Sequence, residues 1–428
     1  MLDAGTTIAA PAWARHATDV PRSEGSVWAP SLARQLFALA VLALAITHAV
    51  TYHAASIPKG GDPWMTGDWL ISYADGFVRR GLFGELFLAF APPGSPGLLA
   101  LFAIQVACYG VVVVYGLQVL HRTQYSWSSI ALICGPAGIA FIGWDEKGGF
   151  RKEILIFVAL ALLAWSRSRS RSRPAVVLLV GGALAFWVLG VFSWEPTALL
   201  LPPVLYLLLI DSDPRLLVFR RSAAALFVAV AVVGAGLSTL AHGDAATATA
   251  ICDAAREHGF LGTELCSSPI AGGGAIEAIG WTSAKAIKDV WATYALYVGY
   301  LPLIALALTP VVASRWFRTN WKWGVAIALG VLPLYLIATD YGRWTHILVI
   351  ALTFCVTADD PADSTSPIWN PLVTVLYVVL WGMPHHIAPD AEWKWFGAIS
   401  LLVNDAIGWL STVLGVPVHP GLTETVIK

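Results

Sequence analysis

Charge is what this chain has least of. Only 12% of its 428 residues are Asp, Glu, Lys or Arg, 57% are apolar, and the mean hydropathy is +0.70. Soluble domains carry about twice that share of charge, so a water-exposed globular surface is excluded. Acids and bases nearly cancel, 27 against 26, and no field of one sign marks nucleic acid as a partner. There are only five cysteines, none at zinc-site spacing, and no HExxH motif, so nothing points to zinc. His385 and His386 are adjacent, do not share a helix face, and read as an interfacial pair. No cleavable leader is expected either. The first apolar run, Leu36 to Val50, follows Arg34 and precedes no small-residue cleavage site, so it is expected to be a signal anchor. Residues 1–34, with Pro11, Pro21 and Pro30, read as a flexible cytoplasmic tail.

Long apolar runs are what the chain does have. They predict an all-α, polytopic transmembrane helical bundle over 35–428, with about 11–12 spans of roughly 20 residues each. The expected spans lie near 35–53, 98–120, 128–144, 153–166, 174–193, 197–210, 222–241, 291–313, 323–339, 344–357 and 369–384, with another near 396–415. Basic residues resist translocation and so set orientation. "HRTQYSW", "SRSRSRSRP", "DSDPRLLVFRR" and "SRWFRTNWKW" occupy alternate short loops. This predicts a cytoplasmic N-terminus in an inner (plasma) membrane, with outer loops at 54–97, 145–152, 242–290 and 340–346.

Those outer loops mix acids with bases, which topology alone does not explain, and ionisable groups at a membrane boundary are functional candidates by default. In "TGDWLISYADGFVRR", a helix over 66–80 would place Asp68, Asp75 and Arg79 on one face and Trp69, Leu70, Tyr73 and Phe77 on the other. Such a helix would lie in the interface with its acidic face toward an outer cavity. "LFLAFA", too short to span and followed by "PPGSPG", reads as a re-entrant or surface helix. Paired guanidinium groups grip phosphate oxygens, and a carboxylate can take a proton from an attacking hydroxyl. The bland reading of Asp75 and Arg79 is an ordinary ion pair one helical turn apart.

The layout of "GDWLISYADGFVRRG", "GGFRKE" and "DYGRW" resembles the GT-C superfamily of polyprenyl-phosphate-dependent membrane glycosyltransferases. That resemblance implies a glycosyltransferase acting at the outer face on a polyprenyl-phosphate-linked sugar, with a glycan or lipid as acceptor. It makes Asp75, and after it Asp68, the candidate base. Arg79, Arg80, Arg151 and Arg343 become candidate phosphate ligands, with Glu85 and Lys152 in the same charged set.

Two other readings stand beside it. "DYGRWTH" puts Arg343 and His346 one turn apart, a pattern similar to the O-antigen polymerase and ligase group, which draws on pyrophosphate-linked glycans. A transporter or flippase would instead place its site near the midplane, where Glu195 and Asp405 are the nearest ionisable residues. No cofactor is implied beyond a divalent cation, for which Asp68 and Asp75 would supply oxygen donors. Cys252 and Cys266 share the long outer loop and are expected to form a disulfide. Most of the 20 tryptophans are expected in interfacial belts, with one or two free to stack on sugar rings.

Overall fold

The computed structural model describes residues 32–167, 172–210, 214–240, 243–262, 290–338, 340–358 and 366–385, together with 397 and 399. Cys266, Asp405, His386, the expected span near 396–415 apart from 397 and 399, and residues 168–171 of the "SRSRSRSR" run lie outside the described residues. Those described fold almost wholly as helices, with no strand beyond one isolated bridge between Ala74 and Gly76.

Among the described residues, five helices are long and apolar enough to cross a membrane: α1 (Leu32–Ser56), α3 (Ser95–Arg122), α7 (Arg173–Ser193), α9 (Leu217–Leu240) and α12 (Arg315–Ile337). They are interspersed with α2 (Leu82–Phe90), α4 (Trp127–Cys134), α5 (Phe141–Trp144), α6 (Ile154–Ser166), α8 (Leu201–Leu209), α10 (Ala245–Glu257), α11 (Val290–Val312), α13 (Tyr341–Ala358) and α14 (Pro371–Val379). Local chemistry starts them. Pro lies in the first turn of α3 and α7, while Ser126, Asp244, Ser314 and Asn370 cap α4, α10, α12 and α14 through their side-chain oxygens.

The packing is that of a protein dissolved in lipid. Every residue of α13 is buried, and nearly every residue of α6, so these two helices form the centre. The long helices around them expose large apolar side chains, among them Leu178, Val218, Val232, Leu329 and Leu336. A helix that is apolar all round and half open to its surroundings is stable in hydrocarbon and not in water. The protein is therefore a membrane-embedded helical bundle.

Three expectations are corrected. Residues 66–80 do not form one helix: Gly67–Leu70 make a single 3-10 turn, and the chain then runs irregularly to Gly81. Gly76 and Arg80, at φ 96° and 73°, both adopt left-handed backbone that interrupts a right-handed helix. Trp69 and Leu70 are consequently core residues and not an interfacial face. The expected span at 128–144 is two short helices, α4 and α5, broken at Gly135 to Ala140, where Pro136 cannot continue the hydrogen-bond ladder. The apolar piece after Gly81 does form a short helix, α2.

Candidate functional site

Four segments meet at one end of the bundle: the first loop (57–81), the α5–α6 loop (145–153), the α7–α8 turn (194–200) and the start of α13. Each is tied down by its own local chemistry. Asp62 Oδ1 accepts from the backbone of Trp64 and Met65, both at 2.8 Å, which tightens the chain into the 3-10 turn carrying Asp68. Trp69 Nε1 then donates to the Phe150 carbonyl at 2.8 Å, and Phe83 N to Ser193 Oγ at 2.9 Å.

Two bidentate forks dominate the site. Arg80 donates from Nε and Nη2 to the two oxygens of Glu195, each at 2.8 Å, with Arg79 Nη1 3.7 Å away on the same carboxylate. Arg343 donates from Nε and Nη2 to Glu153, each at 2.6 Å, and from Nη1 to Asp340 at 3.2 Å. The Arg343 guanidinium lies 5.6 Å from the Trp194 ring and 5.1 Å from the Trp344 ring, so indole surrounds what the carboxylates do not. Burial alone would raise the Glu195 carboxyl, but the Arg80 and Arg79 guanidinium groups outweigh it and hold Glu195 at about 2.

Beside the two bidentate forks lie three more charged groups, of which only Asp68 forms an ion pair within 4.0 Å with a fork arginine. Asp68 is 3% exposed; its nearest cation is Arg80 Nη1 at 3.9 Å, and its carboxylate accepts no hydrogen bond among the described residues. Arg151, 5% exposed, donates Nε to the Lys147 carbonyl at 3.1 Å and stacks 5.2 Å from the Trp64 ring. Lys152 is fully buried and donates to the Arg80 carbonyl at 2.9 Å. Among the described residues no carboxylate lies within 4.0 Å of either cation. Burial lowers Lys152 to about 8, opposed by the nearby Asp68 carboxylate; burial and the neighbouring Arg343 likewise lower Arg151.

The expected set is thus brought together in part. Asp68, Arg79, Arg80, Arg151, Lys152 and Arg343 share this end of the bundle. Asp75 does not: it is exposed and accepts from Thr247 Oγ1 at 3.2 Å, holding α10 against the first loop. Without a helix over 66–80, the turn-spaced Asp75–Arg79 pair does not form, and Arg79 faces Glu195 instead. Glu85 is also exposed and takes the Tyr73 backbone N–H at 3.0 Å. His346 sits deeper, with Nδ1 3.0 Å from the Ala137 carbonyl and its ring stacked on Phe141. It fills the break between α4 and α5, because a buried helix break leaves carbonyls that need donors. Asp68 and Asp75 do not converge on one point, and no group of three metal-binding side chains occurs among the described residues. Cys252 is disulfide-bonded, and Cys108, Cys134 and Cys355 are buried and take no part in a disulfide.

Several participants carried only a faint sequence signal. Glu153 and Asp340 stand beside the basic residues of "RKE" and "DYGRW", and mixed sign within a short loop is their one mark, while Glu195, in "SWEP", stands out in the sequence only as an ionisable residue near the midplane. Asp145 and His385 pair as well, Asp145 Oδ2 lying 2.7 Å from His385 Nδ1, although they are 240 residues apart in sequence. No family model matches this chain, no characterised protein matches it, and no solved structure matches its fold.

Proposed function

We propose that the protein is a membrane glycosyltransferase that draws its sugar from a polyprenyl-phosphate-linked donor. The observation that carries this reading is the division of labour among the buried charges. Two carboxylates are saturated by arginine forks, whereas Asp68, Arg151 and Lys152 remain uncommitted to one another. Buried cations without a carboxylate are costly unless an anion joins them.

The charges also balance through such a reaction. Arg151 and Lys152 offset Asp68 plus the single negative charge of a phosphodiester donor. When the acceptor hydroxyl attacks the anomeric carbon, the bond from that carbon to the phosphate oxygen breaks. The phosphate leaves with the bonding electrons as a dianion, and Asp68 takes the hydroxyl proton and becomes neutral. The two cations then face two negative charges on the phosphate, and the site is neutral before and after transfer. A pyrophosphate-linked donor would add one more negative charge at both stages.

Asp68 therefore replaces Asp75 as the base, and Arg151 and Lys152 come before the forked arginines as phosphate ligands. The pyrophosphate-dependent alternative draws on Arg343 and His346, both already engaged by other groups. A transport reading would look to the buried break between α4 and α5, but the His346 ring occupies it.

The deciding experiment is mass spectrometry of lipid that co-purifies with the full chain. A polyprenyl-phosphate sugar is the expected result; a pyrophosphate-linked oligosaccharide would move the assignment to polymerase or ligase. The proposed orientation puts this site at the outer face of the inner membrane. Alkaline-phosphatase fusions should then be active after Phe90 and silent after Arg173, and activity at Arg173 would overturn that orientation.

A further inference from the structure

One fully buried polar side chain joins the loop that carries the acid to the loop that carries the cations. Gln105, in the middle of α3, donates its carboxamide nitrogen to the Met65 carbonyl at 2.6 Å and to the Phe150 carbonyl at 3.0 Å. Its oxygen accepts from His53 Nε2 at 2.8 Å, and that ring is itself fully buried on α1. Met65 lies three residues before Asp68, and Phe150 immediately precedes Arg151 and Lys152. Only this amide orientation satisfies both carbonyls, and it requires the His53 tautomer that carries hydrogen on Nε2.

The Phe150 end of the tie is held against its own preference. Phe150 has φ 53°, a left-handed conformation that a bulky residue adopts only when its surroundings over-determine it. Here they do: its N–H donates to the Tyr109 hydroxyl at 3.1 Å, its carbonyl accepts from both Trp69 and Gln105, and its ring packs on His53 and Tyr109. Turn hydrogen bonds over 62–69 fix the first loop's own shape, and what ties that shape to Phe150 is the Gln105 bridge together with the Trp69 Nε1 bond to the same carbonyl.

We propose that Gln105 is a positioning residue that sets the separation between the Asp68 carboxylate and the Arg151–Lys152 pair. The proposal rests on the phosphate-donor reading, and its test separates the two. The Lys152 ammonium is faced by Asp68 and Arg80 from the first loop and by Glu195 from the α7–α8 turn, with Arg151 and Glu153 as chain neighbours. Its titration therefore reports how near Asp68 stands.

The measurement is binding of farnesyl monophosphate to the full-length protein in detergent as a function of pH. In the native protein, binding is expected to fall as pH rises through the Lys152 titration. Asp68→Asn removes the supporting charge and should lower that midpoint by about one unit. Gln105→Met keeps the length of the side chain but none of its hydrogen bonds, and should lower the midpoint by about half as much. A residue that only packed would reduce thermal stability and leave the midpoint where it was. Trp69→Phe removes the other side-chain bond to the Phe150 carbonyl and should shift the midpoint the same way by less; it decides the matter if Gln105→Met does not fold. An unchanged midpoint in the folded variant, with Asp68→Asn shifted, overturns the role of Gln105 alone. An unshifted Asp68→Asn removes the coupling on which that role depends. Failure of the native protein to bind the probe overturns the phosphate reading itself.

Discussion

The two ends of α6 use cations in opposite ways. After its last turn, Arg167 donates Nη1 to the Leu207 carbonyl at 3.2 Å and to the carbonyls of Tyr206 and Ile210, and Arg220 donates to the Ser166 and Leu207 carbonyls at 2.8 and 3.3 Å. Cations there complete the open carbonyls at the ends of α6 and α8, where the helix dipoles favour positive charge. Before the first turn of α6, Arg151 and Lys152 sit at the positive end of the same dipole, buried, with no carboxylate within 4.0 Å among the described residues. One end places arginine where helix physics already favours it. The other keeps two cations where desolvation and the dipole both oppose them, and a placement that costs folding energy points to a ligand.

The sharpest way to break this contrast is Asp68→Asn. Loss of a general base should reduce transfer from a lipid-linked donor by about 10²–10⁴-fold, with protein abundance kept; near-normal turnover in the folded variant would remove Asp68 from the chemistry. Next comes Glu153→Gln, which leaves Arg343 buried without its fork. Breaking a buried pair costs about 3–5 kcal/mol, and thermal unfolding in detergent should show it as a large drop in midpoint. Lys152→Met should weaken farnesyl monophosphate binding about 10–100-fold, the worth of one charge-assisted hydrogen bond.

The same substitution should also erase the alkaline limb of binding. In the native protein the ammonium is present below about 8 and is lost as pH rises through that value. A limb that persists in Lys152→Met would assign it to another group. Arg167→Gln tests the opposite end: about 1 kcal/mol of stability should be lost, while phosphate binding stays unchanged. The smallest effect is expected from Asp75→Asn, within about 0.5 kcal/mol and with normal turnover. A large loss of turnover there would restore Asp75 as the base and undo the distinction between the two acids of the first loop.

Asp68 and Asp75 also show where reading the sequence stops. They are seven residues apart, and a regular helix would have made them equivalent. The left-handed Gly76 and Arg80 break that regularity, so Asp68 is drawn into the core and Asp75 is left exposed against Thr247. Periodicity arguments assume one uniform backbone, and two residues outside the helical region are enough to void them. His346 teaches the same point from the other side. Its one-turn spacing from Arg343 is real, but α13 is buried on every side, so residues one turn apart meet different neighbours.

What the sequence by itself determined is the solvent of this protein and the identity of its critical loops. Scarce charge and long apolar runs lead to a helical bundle in a membrane, because hydrocarbon leaves the backbone few other ways to satisfy its polar groups. Mixed-sign clusters confined to a few loops mark segments that the fold gathers at one end of the bundle. Only the tertiary structure decided which charge meets which. Arg80 meets Glu195 across 115 residues and Arg343 meets Glu153 across 190, and those two forks leave Asp68, Arg151 and Lys152 as the remaining set. Coulombic pairing depends on distance in space, and a linear sequence records that distance only between near neighbours.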